Sequence, residues 1–183
     1  MLKKGRRKNC QNRDIVFYID IALSKFTSAG GSKYWFLAVD EATHMKFSMF
    51  FKQKSDVKEK FIPFLKESWD TYGRRVNHIW CDNPGEIQSL GCMYRQGIGN
   101  VERAFATTLG KTLAIMNSAG FDKKRCHLFW MESANTITHL ENLTIRKGTT
   151  WTLYYLFYGN DAPYAKHLQV FGKLSKYYCQ QIN

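Results

Sequence analysis

The sequence predicts one mixed α/β domain, in which an antiparallel meander of three strands is followed by a crossover helix and a fourth strand parallel to the first. Three observations carry this expectation. Between Ile15 and Phe51, three short runs rich in β-branched and aromatic residues follow one another with brief connections, as in a meander. A helical apolar pattern then separates them from another short apolar run at 76–82, as when a helix carries the chain across to a parallel neighbour. A length of 183 residues, with 44% hydrophobic and 15% aromatic residues and three prolines, fits one buried core better than two domains or a disordered chain.

Taken in order, residues 15–22 are too short and too β-branched and aromatic for a helix and read as a buried strand. The turn signal Ser28-Ala29-Gly30-Gly31-Ser32 leads to a second strand at 33–40, and 45–51 alternates as a third. Ser55 and Asp56 offer N-caps to a helix whose Val57, Phe61, Phe64, Leu65, Ser68, Trp69 and Tyr72 recur at helical spacing, with Gly73 as its stop. The fourth strand spans 76–82. A loop over 83–99 with Pro84, Gly85, Gly91, Gly97 and Gly99 precedes a helix over about 100–118, expected to bury Val101, Phe105, Leu109, Leu113 and Met116 on one face. A further helix over about 126–143 holds Leu128, Phe129, Trp130, Ala134, Ile137 and Leu140. Residues 144–183 are aromatic, glycine-punctuated and basic, and are expected to be extended or partly ordered. The chain thus divides into an arm over 1–13, a core over 14–143 and an extension over 144–183.

Basic residues number 27 against 15 acidic ones, a formal charge of +12 that points to a polyanionic partner such as nucleic acid. The arm carries Lys3, Lys4, Arg6, Arg7, Lys8 and Arg13 without an acid, and reads as a flexible tail or as a nuclear-import or DNA-contacting arm. Cys10, Cys81, Cys92, Cys126 and Cys179 are scattered, with no CxxC pair, which argues against a disulfide framework or a zinc ribbon. Neither a membrane-length apolar run nor the apolar centre of a secretory signal is present, so an intracellular protein, nuclear or cytoplasmic and not secreted, is expected.

Two acids stand out by position. Asp20 lies inside an apolar strand, where an unpaired carboxylate costs several kcal/mol, and Asp82 ends the strand expected to run beside it. Glu102, in the first turn of the next helix, can point toward the same edge. Three carboxylates meeting there would repel one another unless a hard divalent cation, magnesium or manganese, sat between them. Two such ions ~3.5–4 Å apart would polarise the attacking and leaving oxygens of an in-line phosphoryl transfer. The plainer alternative is an ion-paired Asp20, a turn at Asp82 and a Glu102 favoured by the helix dipole.

Beyond the acids, the motifs themselves resemble a family. The runs Phe17-Tyr18-Ile19-Asp20-Ile21-Ala22, Gly31-Ser32-Lys33-Tyr34-Trp35-Phe36-Leu37-Ala38-Val39-Asp40-Glu41 and Lys54-Ser55-Asp56-Val57 resemble the integrase core of copia-type LTR retrotransposons. Asp82-Asn83-Pro84-Gly85-Glu86 is similar to that family's signature at the second catalytic acid, and Asn100-Val101-Glu102-Arg103 to the motif carrying the third. Residues 129–140 and 167–172 look like the same polyprotein continuing. The resemblance implies an RNase H-like fold and a D,D,E polynucleotidyl transferase with Asp20, Asp82 and Glu102 as its metal-binding triad. It also implies magnesium or manganese as cofactor, element-end and target DNA as partners, and 3′-end trimming and joining as the reaction, with a homo-oligomer as a further expectation.

The sequence departs from the family pattern in four places. Only residues 83–101 separate Asp82 from Glu102, a shortened interval from which the fifth strand is expected to be missing. Pro84 replaces a glycine, removing an amide donor beside Asp82. Ala104 and Ala106 stand where basic residues are usual, leaving Arg103 and Lys111 as that helix's cations toward DNA. The family's upstream zinc-binding module is not found in residues 1–13, which hold just Cys10, so the chain is expected to be a piece of a longer polyprotein. Three functions follow as alternatives: a DNA-integrating enzyme, a decayed or co-opted relic that binds nucleic acid without catalysis, and an RNase H-type nuclease needing a fourth acid, Glu86 or Glu41.

Overall fold

The computed structural model describes residues 14–72, 75–81, 93–95, 99–145 and 147–172. Strands β1 (Ile15–Leu23), β2 (Tyr34–Asp40), β3 (Lys46–Phe51), β4 (Val76–Trp80) and β5 (Met93–Arg95) form one sheet of order β3-β2-β1-β4-β5. β1 pairs with β2 and β2 with β3 antiparallel, whereas β1 with β4 and β4 with β5 are parallel. Helices α1 (Asp56–Tyr72), α2 (Gly99–Ser118), α3 (Lys123–Asn142) and α4 (Leu153–Tyr158) accompany it. This is the expected mixed α/β fold, compatible with the RNase H-like class.

Alternation along β1 sorts the two faces of the sheet. Ile15, Phe17 and Ile19 join Phe36 and Ala38 of β2, Phe51 of β3 and Ile79 of β4 in the main core, closed by Val57 and Phe61 of α1. Each such side chain, fully withdrawn from water, contributes about 1.5–3 kcal/mol. On the opposite face Leu37 and Val39 pack with Val101 of α2, flanked by Tyr18, Ala104 and Phe105.

Four expectations are corrected. The fifth strand is present as β5, whose three residues pair in the register His78↔Met93, Ile79↔Tyr94 and Trp80↔Arg95. Backbone pairing needs no side-chain pattern, so a strand this short between glycine-bearing loops leaves no periodic signal. The apolar stripe read on α2 is rotated: Val101, Thr108, Thr112 and Met116 are buried, while Leu109 and Leu113 remain about half exposed (48% and 50%). The threonines bury without cost because Thr112 Oγ1 donates to Thr108 O at 2.8 Å and Thr108 Oγ1 to Glu141 Oε2 at 2.8 Å. Helix α3 begins earlier than expected, because Asp122 caps it by accepting the Arg125 N–H, and it buries Ser133, Ala134, Ile137, Thr138, Glu141 and Asn142 rather than Leu128, Phe129 and Leu140. Residues 153–158, within the stretch expected to be extended or partly ordered, form α4, capped by Thr152 and ended by Gly159 at φ 78°, and its Phe157 enters the main core.

The outer edge of the sheet at β3 is covered by α3 through polar contacts. Asn142 accepts the Lys46 N–H at 2.9 Å and donates to Lys46 O at 2.8 Å, so one side chain supplies both hydrogen bonds of a missing strand partner. The Lys46 ammonium lies 2.6 Å from Glu141 Oε2, and Lys111 of α2 lies 2.6 Å from Oε1. Burial pushes the Glu141 carboxyl up, but hydrogen bonds from Lys111 and Lys46, the Lys46 charge and the Thr108 hydroxyl outweigh it and hold it below its ordinary value of 4.5.

A carboxyl lowered by folding stabilises the folded state above its ordinary value, and that contribution is lost as pH falls through the lowered one. Glu141→Gln is expected to cost about 3 kcal/mol at neutral pH and to flatten the loss of stability as pH falls below the ordinary carboxyl value of 4.5, measured by urea denaturation followed through tryptophan fluorescence. Phe157→Ala is expected to cost about 3–4 kcal/mol in the same titration, showing that α4 belongs to the cooperative unit.

Candidate functional site

Asp20 is the sixth residue of β1, half-buried, and alternation places it with Tyr18 on the α2 face. Its Oδ1 accepts the N–H of Ile21 at 2.7 Å. Across the antiparallel pair its partner is Leu37, which packs against Val101, and Glu102 follows Val101 in the first turn of α2. The Leu37–Val101 contact therefore fixes the start of α2 over the stretch of sheet that holds Asp20. Glu102 is exposed, as a residue that meets a ligand from solvent would be.

The parallel partner strand has the register the site requires. Tyr18 lies opposite Trp80, and their rings stack with centroids 6.0 Å apart. Asp20 follows Tyr18 by two residues as Asp82 follows Trp80 in sequence. Asp82 lies outside the described residues, as do Lys3, Lys4, Arg6, Arg7, Lys8, Pro84 and Glu86. Among the described residues no three histidine, cysteine, aspartate or glutamate side chains gather as a metal cluster. The two described acids are accessible oxygen donors on one face, a donor chemistry that suits a hard divalent ion.

Other expected residues are placed differently. Arg103 is exposed and its Nε donates to Gly99 O at 2.9 Å, one turn back on its own helix. Lys111 is drawn onto Glu141, although half of its side chain stays exposed (50%). Glu41 accepts the Tyr18 hydroxyl at 2.7 Å, but its backbone pairs with Val16, about 13 Å of strand from Asp20, so the fold does not align it with that acid as a fourth ligand. Asp40, also an acid at a strand end, is a turn residue, accepting both the N–H and the hydroxyl of Thr43 at 2.8 and 2.6 Å.

With this geometry, the fold of a solved structure is similar. The chain matches a chain of the simian T-cell lymphotropic virus intasome, solved in complex with PP2A regulatory subunit B56 gamma, at a TM-score of 0.54 and 16% identity. At this identity the likeness is one of fold. It covers 81% of this chain and 55% of that one, so this chain spans little more than half the length of its neighbour. No family model matches the sequence.

The Lys46–Glu141 pair that holds α2 and α3 to the sheet was not singled out in the sequence. Its signal is a charge at a burial position: Ala134, Ile137, Thr138 and Glu141 recur at i, i+3, i+4 and i+7, so the glutamate continues an inward-facing stripe and needs a cation. Among the described residues, Cys126 is a free thiol, and no helix is long and apolar enough to cross a membrane.

Because Glu102 is exposed, Glu102→Gln is expected to change the unfolding free energy by no more than about 0.5 kcal/mol. Leu37→Ala, which removes the seat of Val101, is expected to cost about 3 kcal/mol in the same thermal or urea titration.

Proposed function

We propose that the chain is an integrase-type polynucleotidyl transferase core of the copia class, acting on DNA with Asp20, Asp82 and Glu102 as its acidic triad. The observation that carries this reading is the Leu37–Val101 contact, which sets the Glu102 turn over the Asp20 strand beside a parallel neighbour that leads to Asp82. A magnesium or manganese ion held by these carboxylates would supply charge compensation and Lewis acidity at a phosphodiester.

What the residues themselves contribute is placement. Asp20 is anchored by a strand paired on both sides, and its carboxylate is further fixed by the Ile21 N–H. Glu102 stands exposed at a helix start, open to a ligand that arrives from solvent. Arg103, next to Glu102 and exposed, offers a cation to the backbone of a bound strand. The acid edge and the basic arm divide the work, one holding the reacting phosphate and the other the length of the polyanion, with a homo-oligomer and a nuclear or cytoplasmic setting as parts of the same proposal.

A second reading, a relic that binds nucleic acid without catalysis, is favoured by one observation: Lys111, a cation of α2 that would meet phosphate, neutralises Glu141 instead. Labelled duplex DNA incubated with the protein and magnesium or manganese separates the two. Nicking or joining is expected, slowed at least about 100-fold in Asp20→Asn, Asp82→Asn and Glu102→Gln. If the unmodified protein neither nicks nor joins, while steeply salt-dependent DNA binding survives Asp82→Asn, the enzyme reading fails and the relic stands.

A further inference from the structure

Past the carboxyl end of β1 the chain makes a loop that presents an aromatic ring to solvent. Phe26 is 44% exposed, and one face of its ring is stacked on the His127 imidazole of α3, with centroids 3.4 Å apart and planes 13° from parallel. The loop holding it is closely tied. Ala29 N–H donates to Leu128 O at 2.8 Å, Ser24 N–H to Lys33 O at 2.8 Å, and the buried Ser28 hydroxyl accepts the Ser32 N–H at 3.0 Å. An anchored loop loses little entropy when it binds, so a ring fixed in this way, exposed among the described residues, is preorganised for a further contact.

The surroundings are cationic. Lys25 precedes the ring, and Lys123 and Lys124 precede His127 by four and three residues, which places them beside it on the helix surface. All three are exposed, with Arg125 exposed on the same turn. The one acid in that turn, Asp122, spends its carboxylate on the Arg125 N–H. A planar ring with an open face, ringed by cations, matches what single-stranded nucleic acid presents: a π-face on each unpaired base and a phosphate between successive bases. A duplex hides those faces in its stack. The platform is six residues beyond Asp20, at most about 20 Å along the chain, so a strand held there continues toward the acids.

We propose that Phe26, backed by His127 and flanked by Lys25, Lys123 and Lys124, is a stacking platform for an unpaired stretch of nucleic acid alongside the acidic site. This deepens the DNA-processing reading and rests on it for the strand's destination, though not for the binding itself. Anisotropy titrations of the full chain in EDTA compare a fluorescein-labelled oligothymidine with a closed hairpin duplex that has no unpaired end. Phe26→Ala and Phe26→Leu are expected to weaken oligothymidine binding about 5- to 100-fold with hairpin binding unchanged, and Phe26→Trp to preserve both. Lys124→Gln is expected to weaken both and to lower the salt slope for the single strand by about 0.7.

Phe26→Leu keeps the apolar bulk without the ring, so it reports on stacking even if the alanine variant is poorly folded. Oligothymidine binding that is unchanged in Phe26→Leu overturns the proposal, as does equal weakening toward strand and hairpin. Sedimentation that shows Phe26-dependent self-association, with oligothymidine binding unaltered, overturns it in favour of a contact between copies. Because no divalent ion is present, ring-dependent binding persists if the catalytic reading fails, and absent cleavage leaves this result intact.

Discussion

The carboxylate of Glu141 is the point on which three elements converge. It receives Lys46 from the edge strand, Lys111 and Thr108 from α2, and sits in the last turn of α3. A buried carboxylate without partners costs several kcal/mol, so the joint is stable when all of its contacts form together and poor when any one is absent. Its specificity comes from this all-or-none character. An apolar seam would let α2 slide by a turn, whereas two cations and a hydroxyl on one carboxylate fix its register. The helix so fixed carries Glu102 about two turns before Thr108, and a joint remote from the acids thereby sets where one of them stands.

The two faces of the sheet are built from different chemistry. Toward α1 and α4 the core is wholly apolar, with the rings of Phe17, Phe36, Phe47, Phe51, Phe61, Phe64 and Phe157 set among Ile15, Ile19, Val57 and Ile79. Toward α2 and α3 the contact is mixed: the Trp35 indole donates to Ser48, whose hydroxyl is 2.7 Å from Thr138, and an edge of Phe105 meets Trp35. Burial on the first face stabilises without fixing orientation, while hydrogen bonds on the second fix orientation for a smaller net gain. Asp20 lies on the second face, the side on which α2 packs.

How much of this was legible follows from the same division. The first four strands and α1 could be read because their apolar residues alternate or recur at helical spacing and mark the apolar face directly. The orientation of α2 could not, because Thr108 and Thr112 bury hydroxyls that partners satisfy, and a hydropathy pattern treats them as solvent-facing while favouring Leu109 and Leu113. Segment 153–158 was misread since six residues are too few for a helical period, and its aromatics suit strand and helix alike. Of the site, Asp20 was legible as an acid in an apolar strand and Glu102 as an acid at a helix start. The contact that seats the start of α2 on the Asp20 stretch of the sheet, Val101 on Leu37, was not.

The short interval between Asp82 and Glu102 acquires a different meaning once β5 is present. Residues 93–95 close the hydrogen-bonding side of β4, so the shortened segment still completes the sheet beyond the second acid's strand. From β5 the chain has only residues 96–98 before α2 begins at Gly99. The four residue steps from Arg95 to Gly99 span at most about 14 Å, which ties the start of α2 to the end of β5. The start of α2 is thus held twice, by this tether and by the contact of Val101 with Leu37 and Val39. The position of Glu102 is thereby set by the sheet rather than by a long adjustable loop.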